Sequence, residues 1–319
     1  MPIRWFLLFL ALALNGAVLN LSQGAPPQGS EFKIQTDVEL VLLDVSVRNP
    51  AGGYVTGLSK EHFQVYENGV LQTVTEFAAA DVPVAVGLVM DDSGSMASRR
   101  SSLNAAGVAF IEASNPKDQV FVVNFNDKVR RGLPDATPFT DNINLLRAAL
   151  SKHKPEGRTA LYDAVVYALR HLETGRRDMK ALVVVSDGGD NCSASKLKDV
   201  MRLVEESAAT VYTVGISDPG DPDANSGVLK HIASLSGGEC FLPGELDPIL
   251  PICQKIARDI RNRYTLGYIP VRTSNAAGER KIRVTALSSD HKKLAVRTRT
   301  AYRLPDRDGH GVTPNGAPR

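Results

Sequence analysis

The sequence predicts an α/β protein whose doubly wound, mostly parallel sheet is inserted in, or flanked by, a small β-sandwich. Between residues 81 and 262, apolar runs such as VPVAVGLVM and ALVVVS alternate with amphipathic segments. This alternation is typical of parallel strands joined by helices that cover both faces of a sheet. On both sides of this block, Val-rich segments are broken by turn sequences such as NPAGG and ENG, which indicates antiparallel strands.

The elements of the central block follow one another in strand–helix order. Its apolar strand candidates lie at 82–90, 119–125, 181–186, 209–216 and 238–243. Its helix candidates lie at 101–114, 142–150, 160–173, 196–207 and 246–262. After the block, a two-residue rhythm of apolar and polar side chains predicts strands at 264–271, 280–287 and 293–304. Both flanks are short for separate cores, so one sandwich built from both is favoured over two independent β pieces.

The N-terminus has the three parts of a secretory signal peptide. Arg4 supplies the positive start, the run WFLLFLALAL is apolar, and small residues follow. Because this run is shorter than the roughly 20 residues of a spanning helix, we expect an exported protein that is secreted, periplasmic or on the cell surface. An uncleaved N-terminal anchor is the alternative. The predicted organisation is a signal peptide at 1–24, a linker at 25–32, N-terminal sandwich strands at 33–80, the α/β domain at 81–262, C-terminal sandwich strands at 263–304 and a disordered tail at 305–319.

Composition narrows the classes of partner. The formal net charge is +2 and no second apolar run reaches membrane length, so we expect neither nucleic-acid binding nor a membrane span beyond the signal sequence. The three cysteines, Cys192, Cys240 and Cys253, allow at most one internal disulfide, and the sequence leaves its pairing open. Their spacing is not that of zinc ligands.

Polar side chains stand at the ends of apolar strands and at the start of one helix. They are Asp91, Ser93 and Ser95 in MDDSGSM, Thr159 in GRTALYD and Asp187 in LVVVSDGGD. Taken singly, each has an ordinary explanation as a helix cap or a turn residue. Ligands of doubly wound sheets, however, bind beyond the carboxyl ends of the strands where the chain order reverses. The joint occurrence of these residues on such elements therefore favours a binding site.

The order Asp91-x-Ser93-x-Ser95, then Thr159, then Asp187 resembles the metal-ion-dependent adhesion site of the von Willebrand factor A domain, which has a Rossmann-like fold. The resemblance covers about residues 82–262. The flanking sequences, including VLLDVSVRNPAGG and YTLGYIP, resemble those of exported bacterial A-domain proteins common in acidobacteria.

This resemblance implies a divalent cation and a protein partner. By its motif, Ser93, Ser95 and Thr159 bind the ion directly, while Asp91 and Asp187 hold water ligands and balance charge. We expect Mg²⁺, and the same hard oxygen ligands accept Mn²⁺ or Ca²⁺. The implied partner presents an Asp or Glu side chain to an open coordination position.

A non-enzymatic adhesion module is therefore the leading interpretation. One alternative is a chelatase-like partner subunit of an AAA-type ATPase, which the predicted export disfavours. A metal-dependent hydrolase is less favoured, because the chain has no GxxxxGK loop, no GxSxG elbow and no zinc-spaced histidine pair. A cation that only stabilises the fold is a further alternative. Asp92 and Asp190, beside the motif, are interpreted as exposed turn acids, or else as residues that tune metal affinity.

Overall fold

The computed structural model describes residues 40–79, 81–216, 224–244, 248–270 and 278–303. The predicted signal peptide, linker and tail, and the first part of the predicted N-terminal strand segment, lie outside these residues. The strands are β1 (Val41–Arg48), β2 (Phe63–Glu67), β3 (Val70–Gln72), β4 (Val74–Ala78), β5 (Ala85–Asp91), β6 (Gln119–Phe125), β7 (Val129–Arg131), β8 (Lys180–Ser186), β9 (Thr210–Gly215), β10 (Cys240–Phe241), β11 (Arg263–Tyr268), β12 (Glu279–Ala286), β13 (Ala295–Arg297) and β14 (Ala301–Arg303). The helices are α1 (Arg100–Ala113), α2 (Ile143–Leu150), α3 (Leu161–Glu173), α4 (Leu197–Glu206), α5 (Ser226–Ser236) and α6 (Ile249–Arg261).

A six-stranded sheet with the order β10-β9-β8-β5-β6-β7 forms the centre of the α/β part. All its strand pairs are parallel except β6 with β7. Strands β5, β6, β8 and β9 are almost entirely buried, because helices cover both faces of the sheet and most of the strands' side chains are apolar. The predicted fold class is thus confirmed. Among the described residues, no helix has both the length and the apolar composition needed to cross a membrane.

The chain order reverses at β5. This central strand pairs with β6 on one side and with β8 on the other, so the helices that follow β5 and β8 leave the sheet in different directions. The carboxyl ends of β5 and β8 therefore lie side by side, with Met90 paired to Val185 just before each strand ends. This is the topological switch point of the sheet.

Two four-stranded antiparallel sheets, β13-β1-β11-β4 and β14-β12-β2-β3, make up the second part. Strands from before and after the α/β part pair directly, β1 with β11 and β2 with β12. Apolar side chains of both sheets share one core, which includes Leu43, Val65, Tyr264 and Val284. The two flanks thus build a single β unit.

The lateral edges of these two sheets are bridged by the chain itself. Strand β3 lies at the edge of one sheet, and only Thr73 separates it from β4 at the edge of the other. Strands β13 and β14 stand in the same relation, separated by residues 298–300. Each pair therefore turns a corner from one sheet to the other.

Some elements differ from the sequence prediction. Helix α5 and the short strand β7 were not predicted, although α5 buries an apolar face that includes Val228, Leu229 and Ile232. The segment 293–304, predicted as one strand with a solvated face, is broken into β13 and β14. The break occurs where Arg299 is buried and donates a hydrogen bond to the Ser207 carbonyl. This alternating basic segment therefore carries internal polar contacts.

The carboxylate of Asp259 on α6 joins the two parts of the molecule. It is 1% exposed and accepts hydrogen bonds on both oxygens. The donors are Ser46 (3.0 Å) and Arg48 (3.1 Å) of β1, Tyr212 (2.5 Å) of β9, Arg263 (3.2 Å) of β11 and Arg297 (2.5 Å) of β13. A buried carboxylate is stable only when it is paired and hydrogen-bonded, so these elements must be in place together.

Replacing Asp259 by Asn removes the negative charge that faces the buried guanidinium of Arg263. We expect the free energy of unfolding, measured by urea denaturation, to fall by about 3–5 kcal/mol, the usual cost of breaking a buried ion pair. The matched control is Asp135→Asn, which breaks an exposed ion pair with Arg131 and should change the free energy by less than about 1 kcal/mol. Similar losses in both variants would contradict the importance assigned to Asp259.

The same carboxylate should make stability depend on pH in acid. Burial alone would raise the pKa of Asp259, but the positive charges of Arg263 and Arg297 outweigh burial and hold this pKa well below its usual range. A depressed pKa in the folded state gives stability that is present above the unfolded pKa of about 3.9 and is lost as the pH falls further. Urea denaturation at pH values from about 5 down to 2 should therefore show a steeper loss for the parent than for Asp259→Asn. Parallel curves would refute this.

Candidate functional site

The candidate site begins where β5 ends. The Asp91 carboxylate is fully buried and accepts hydrogen bonds from the Ser93 amide (2.8 Å) and from the Ser186 hydroxyl (2.6 Å) at the end of β8. The chain then turns into a 3₁₀ helix, Gly94–Arg99, which leads into α1. Asp91 thus links the two strand ends of the switch point and fixes the loop that carries both serines.

The serine hydroxyls connect this loop to Asp187. Ser93 Oγ and Ser95 Oγ are 3.1 Å apart, and Ser95 Oγ donates to Asp187 Oδ2 at 2.8 Å. The other carboxylate oxygen of Asp187 accepts the amide of Gly189 at 2.9 Å. Ser93 and Asp187 are buried, whereas Ser95 is exposed. Four of the five predicted residues therefore belong to one hydrogen-bonded group that reaches solvent at Ser95.

Thr159 is held at the same end of the sheet by its backbone. Its amide donates to Asn191 Oδ1 at 2.9 Å, and its carbonyl accepts the Asn191 amide at 3.0 Å. Two residues earlier, the Gly157 carbonyl accepts the amide of Gly94 at 3.1 Å, so the two loops lie against each other. Among the described contacts, the Thr159 hydroxyl makes no hydrogen bond to the other four side chains. Its loop is therefore in place, while its hydroxyl stays outside the bonded group.

The acids at the end of β5 are strongly affected by burial. Burial raises the pKa of Asp91 to about 6, although hydrogen bonds from Ser186 and Ser93 act in the opposite direction. Burial also raises the pKa of Asp92 to about 7, against the opposing charge of Arg100. Asp92 is fully buried and forms an ion pair with Arg100, so its interpretation as an exposed turn acid was wrong.

Several supporting residues were not singled out in the sequence. Ser186 bonds Asp91, and Asn191 bonds Thr159. Asp190, which the sequence did single out, is partly buried; it accepts the Tyr162 amide at 3.0 Å and fixes the start of α3. Ser186 directly precedes Asp187 in LVVVSDGGD, so its place at a strand end was the available signal; Asn191 carried none.

The donor set is rich in hydroxyl oxygen. Within the described part of the chain, no group of three or more His, Cys, Asp or Glu side chains could hold a metal ion. The candidate site instead combines two carboxylates with serine hydroxyls, which are hard oxygen donors suited to Mg²⁺ or Ca²⁺. The cysteines Cys192, Cys240 and Cys253 are free thiols.

One protein-family model matches part of the chain. The family model for the von Willebrand factor type A domain matches residues 86–189, a range that includes all five predicted site residues. No curated protein sequence matches the chain.

The chain is similar to several solved structures at low sequence identity. The chain is similar to a von Willebrand factor type A protein from Catenulispora acidiphila (12% identity, TM-score 0.51, 86% of this chain and 76% of that one). It is also similar to the vWF domain of the type V pili tip protein Mfa5 from Porphyromonas gingivalis (16% identity, TM-score 0.49, 57% of this chain and 96% of that one). The PilB minor pilin from Streptococcus sanguinis is a further match (14% identity, TM-score 0.47, 58% of this chain and 62% of that one).

The matched range runs from β5 to the loop that follows β8. It therefore contains both strands of the switch point. With the doubly wound sheet and the similarity to the Catenulispora protein, this match shows that the chain contains a von Willebrand factor type A domain.

Proposed function

We propose that this chain is a non-enzymatic binding module that engages a protein partner through a divalent cation. The observation that carries the proposal is the hydrogen-bonded group of Asp91, Ser93, Ser95 and Asp187, which lies at the switch point and reaches solvent at Ser95. Ligands of doubly wound sheets bind at this position. The N-terminal sequence supports export of the module to the periplasm, the cell surface or the medium.

The residues present fit a hard cation. Ser93, Ser95 and Thr159 would bind it through neutral hydroxyls, and Asp91 and Asp187 would orient its water ligands and balance its charge. Mg²⁺ prefers near-octahedral oxygen coordination and usually keeps several waters. The bound ion would supply a positive charge able to attract a carboxylate. The chain's own residues hold the serine loop in place, since Asp91 accepts hydrogen bonds both from this loop and from the end of β8.

The donor chemistry favours binding over hydrolysis. A hydrolase of this type needs a nucleophilic acid or a metal-activated water, with Lys or Arg to hold the transferred group. Arg100, at the start of α1, is paired with buried Asp92 and is not free for this role. Direct ligation by neutral hydroxyls would leave charge on the ion to attract a carboxylate from a partner.

A calorimetric titration of the purified protein with Mg²⁺ and Mn²⁺ tests the metal site. We expect saturable binding in the parent and at least about tenfold weaker binding, or about 1.4 kcal/mol, in Asp91→Asn and Ser95→Ala. Ser98→Ala is the matched control, because Ser98 is an exposed serine of the same 3₁₀ segment outside the motif. It should bind the ion as the parent does.

Circular dichroism of each variant establishes that it is folded. Absence of saturable binding in the folded parent would overturn the metal-dependent function. Equal affinity in Ser95→Ala and Ser98→Ala would remove Ser95 from the ligand set.

A further inference from the structure

A group of cations lies on two loops beside the candidate metal site. One is the end of the β6–β7 hairpin, including Arg130 on β7, and the other joins α2 to α3. Their basic side chains, here called the basic rim, are Lys128, Arg130, Lys152, Lys154 and Arg158. All are exposed except the partly buried Arg130. Among the described residues, none of them forms an ion pair, although the Arg130 guanidinium bonds Asn126 and the Lys152 ammonium bonds the Gly132 carbonyl.

The rim is continuous with the site through backbone contacts. The Asp92 carbonyl accepts the Glu156 amide at 2.8 Å, directly before the Gly94–Gly157 bond described above. The Asn126 carbonyl accepts the amide of Ala160 at 2.8 Å and thereby holds the first loop against the second. These hydrogen bonds hold both basic loops against the segment that carries the serines.

Gly157 makes this close packing possible. Its φ of +76° lies in the left-handed region, and a Cβ there would come within 2.5 Å of Asp127 Oδ1. The same Asp127 carboxylate accepts the amide of Arg158. The position of the rim relative to the serine loop is therefore fixed by backbone geometry.

The two loops carry an excess of positive charge. Their acids are Asp127, which is tied to the Arg158 amide, and Glu156. The basic rim thus has more cations than its loops can neutralise. Arg100, a further nearby cation, is already paired with Asp92 and adds nothing to this excess. Unpaired exposed cations beside a binding site favour partners of opposite charge and speed their association.

We propose that the partner docks with an acidic polypeptide segment, one of whose carboxylates reaches the bound cation while neighbouring Asp and Glu side chains lie over the basic rim. This inference rests on the proposed function and names the class of partner for the same site. The rim cations come from two separate segments of the chain. Asp and Glu side chains on a polypeptide can be placed independently of one another.

The test measures binding of short labelled peptides to the purified protein in Mg²⁺. One peptide has a central Asp flanked by Glu residues, and the other has the same Asp flanked by Gln residues. We expect the acidic peptide to bind about tenfold more tightly, since several exposed charge pairs each contribute modestly. Its advantage should shrink at high salt, and chelation of the metal should abolish its binding.

The rim is tested by the double variant Lys128→Glu/Lys154→Glu. The matched control is Lys198→Glu/Lys230→Glu, which makes the same change in net charge at exposed lysines of α4 and α5. We expect the rim variant to lose about tenfold in affinity for the acidic peptide and the control to lose little, because distant exposed charges are screened. Both variants should bind Mg²⁺ in calorimetry as the parent does.

The outcomes separate this inference from the function on which it rests. If Mg²⁺ does not bind to the folded parent, the proposed function and the inference both fail. If Mg²⁺ binds but the acidic peptide has no advantage, or the two double variants lose affinity equally, only the inference fails. Binding of the acidic peptide that persists without metal would also overturn it. Tighter binding of an oligogalacturonate of equal charge would overturn the inference, because it would identify the partner as an anionic polysaccharide.

Discussion

One buried carboxylate, that of Asp259, ties helix α6 to strands of both parts of the molecule. Taking a carboxylate out of water is costly unless charges and hydrogen bonds replace its hydration. Its donors here come from the α/β sheet, through Tyr212, and from the antiparallel sheet, through residues of β1, β11 and β13. Glu239 extends the arrangement by pairing with Arg48 and Lys255. Neither part of the molecule can satisfy Asp259 alone, so the charge specifies how the parts meet.

The candidate site also contains buried carboxylates, but these differ from Asp259 in their partners. Its carboxylates are buried beside strand ends and accept hydrogen bonds from hydroxyls and amides, and within the described part of the chain no arginine or lysine is bonded to them. Such a pair of acids lacks the full compensation that Asp259 has, and burial accordingly raises the pKa of Asp91. An external cation would provide the missing charge. Asp259, whose charge is balanced by arginines of the chain, is a structural acid. Asp91 and Asp187, whose charges are not balanced in this way, are suited to a ligand.

The sequence was informative wherever a residue's role follows from its place on a regular element. Apolar runs predicted the central strands, and the ends of two such runs predicted Asp91 and Asp187. Periodicity could not show that Asp92 turns inward to Arg100, because an acid after a strand has the same pattern whether buried or exposed. Nor could it single out Asp259, which has the spacing of an ordinary polar position on α6 and gains its donors from strands distant in the chain. Long-range polar pairing has no local signature.

The division of the β unit between the two flanks of the chain has a consequence for the order of folding. Asp44 of β1 meets Thr265 of β11 across a separation of 221 residues. Closing so long a loop costs entropy before any contact repays it, unless the intervening chain is already compact. The α/β domain, whose contacts are more local, can supply that compactness, and Asp81 pairs with Arg261 where the chain enters and leaves it. During synthesis, β2 and β3 can pair locally, but β1 and β4 must wait for β11, and the other edge of β2 must wait for β12.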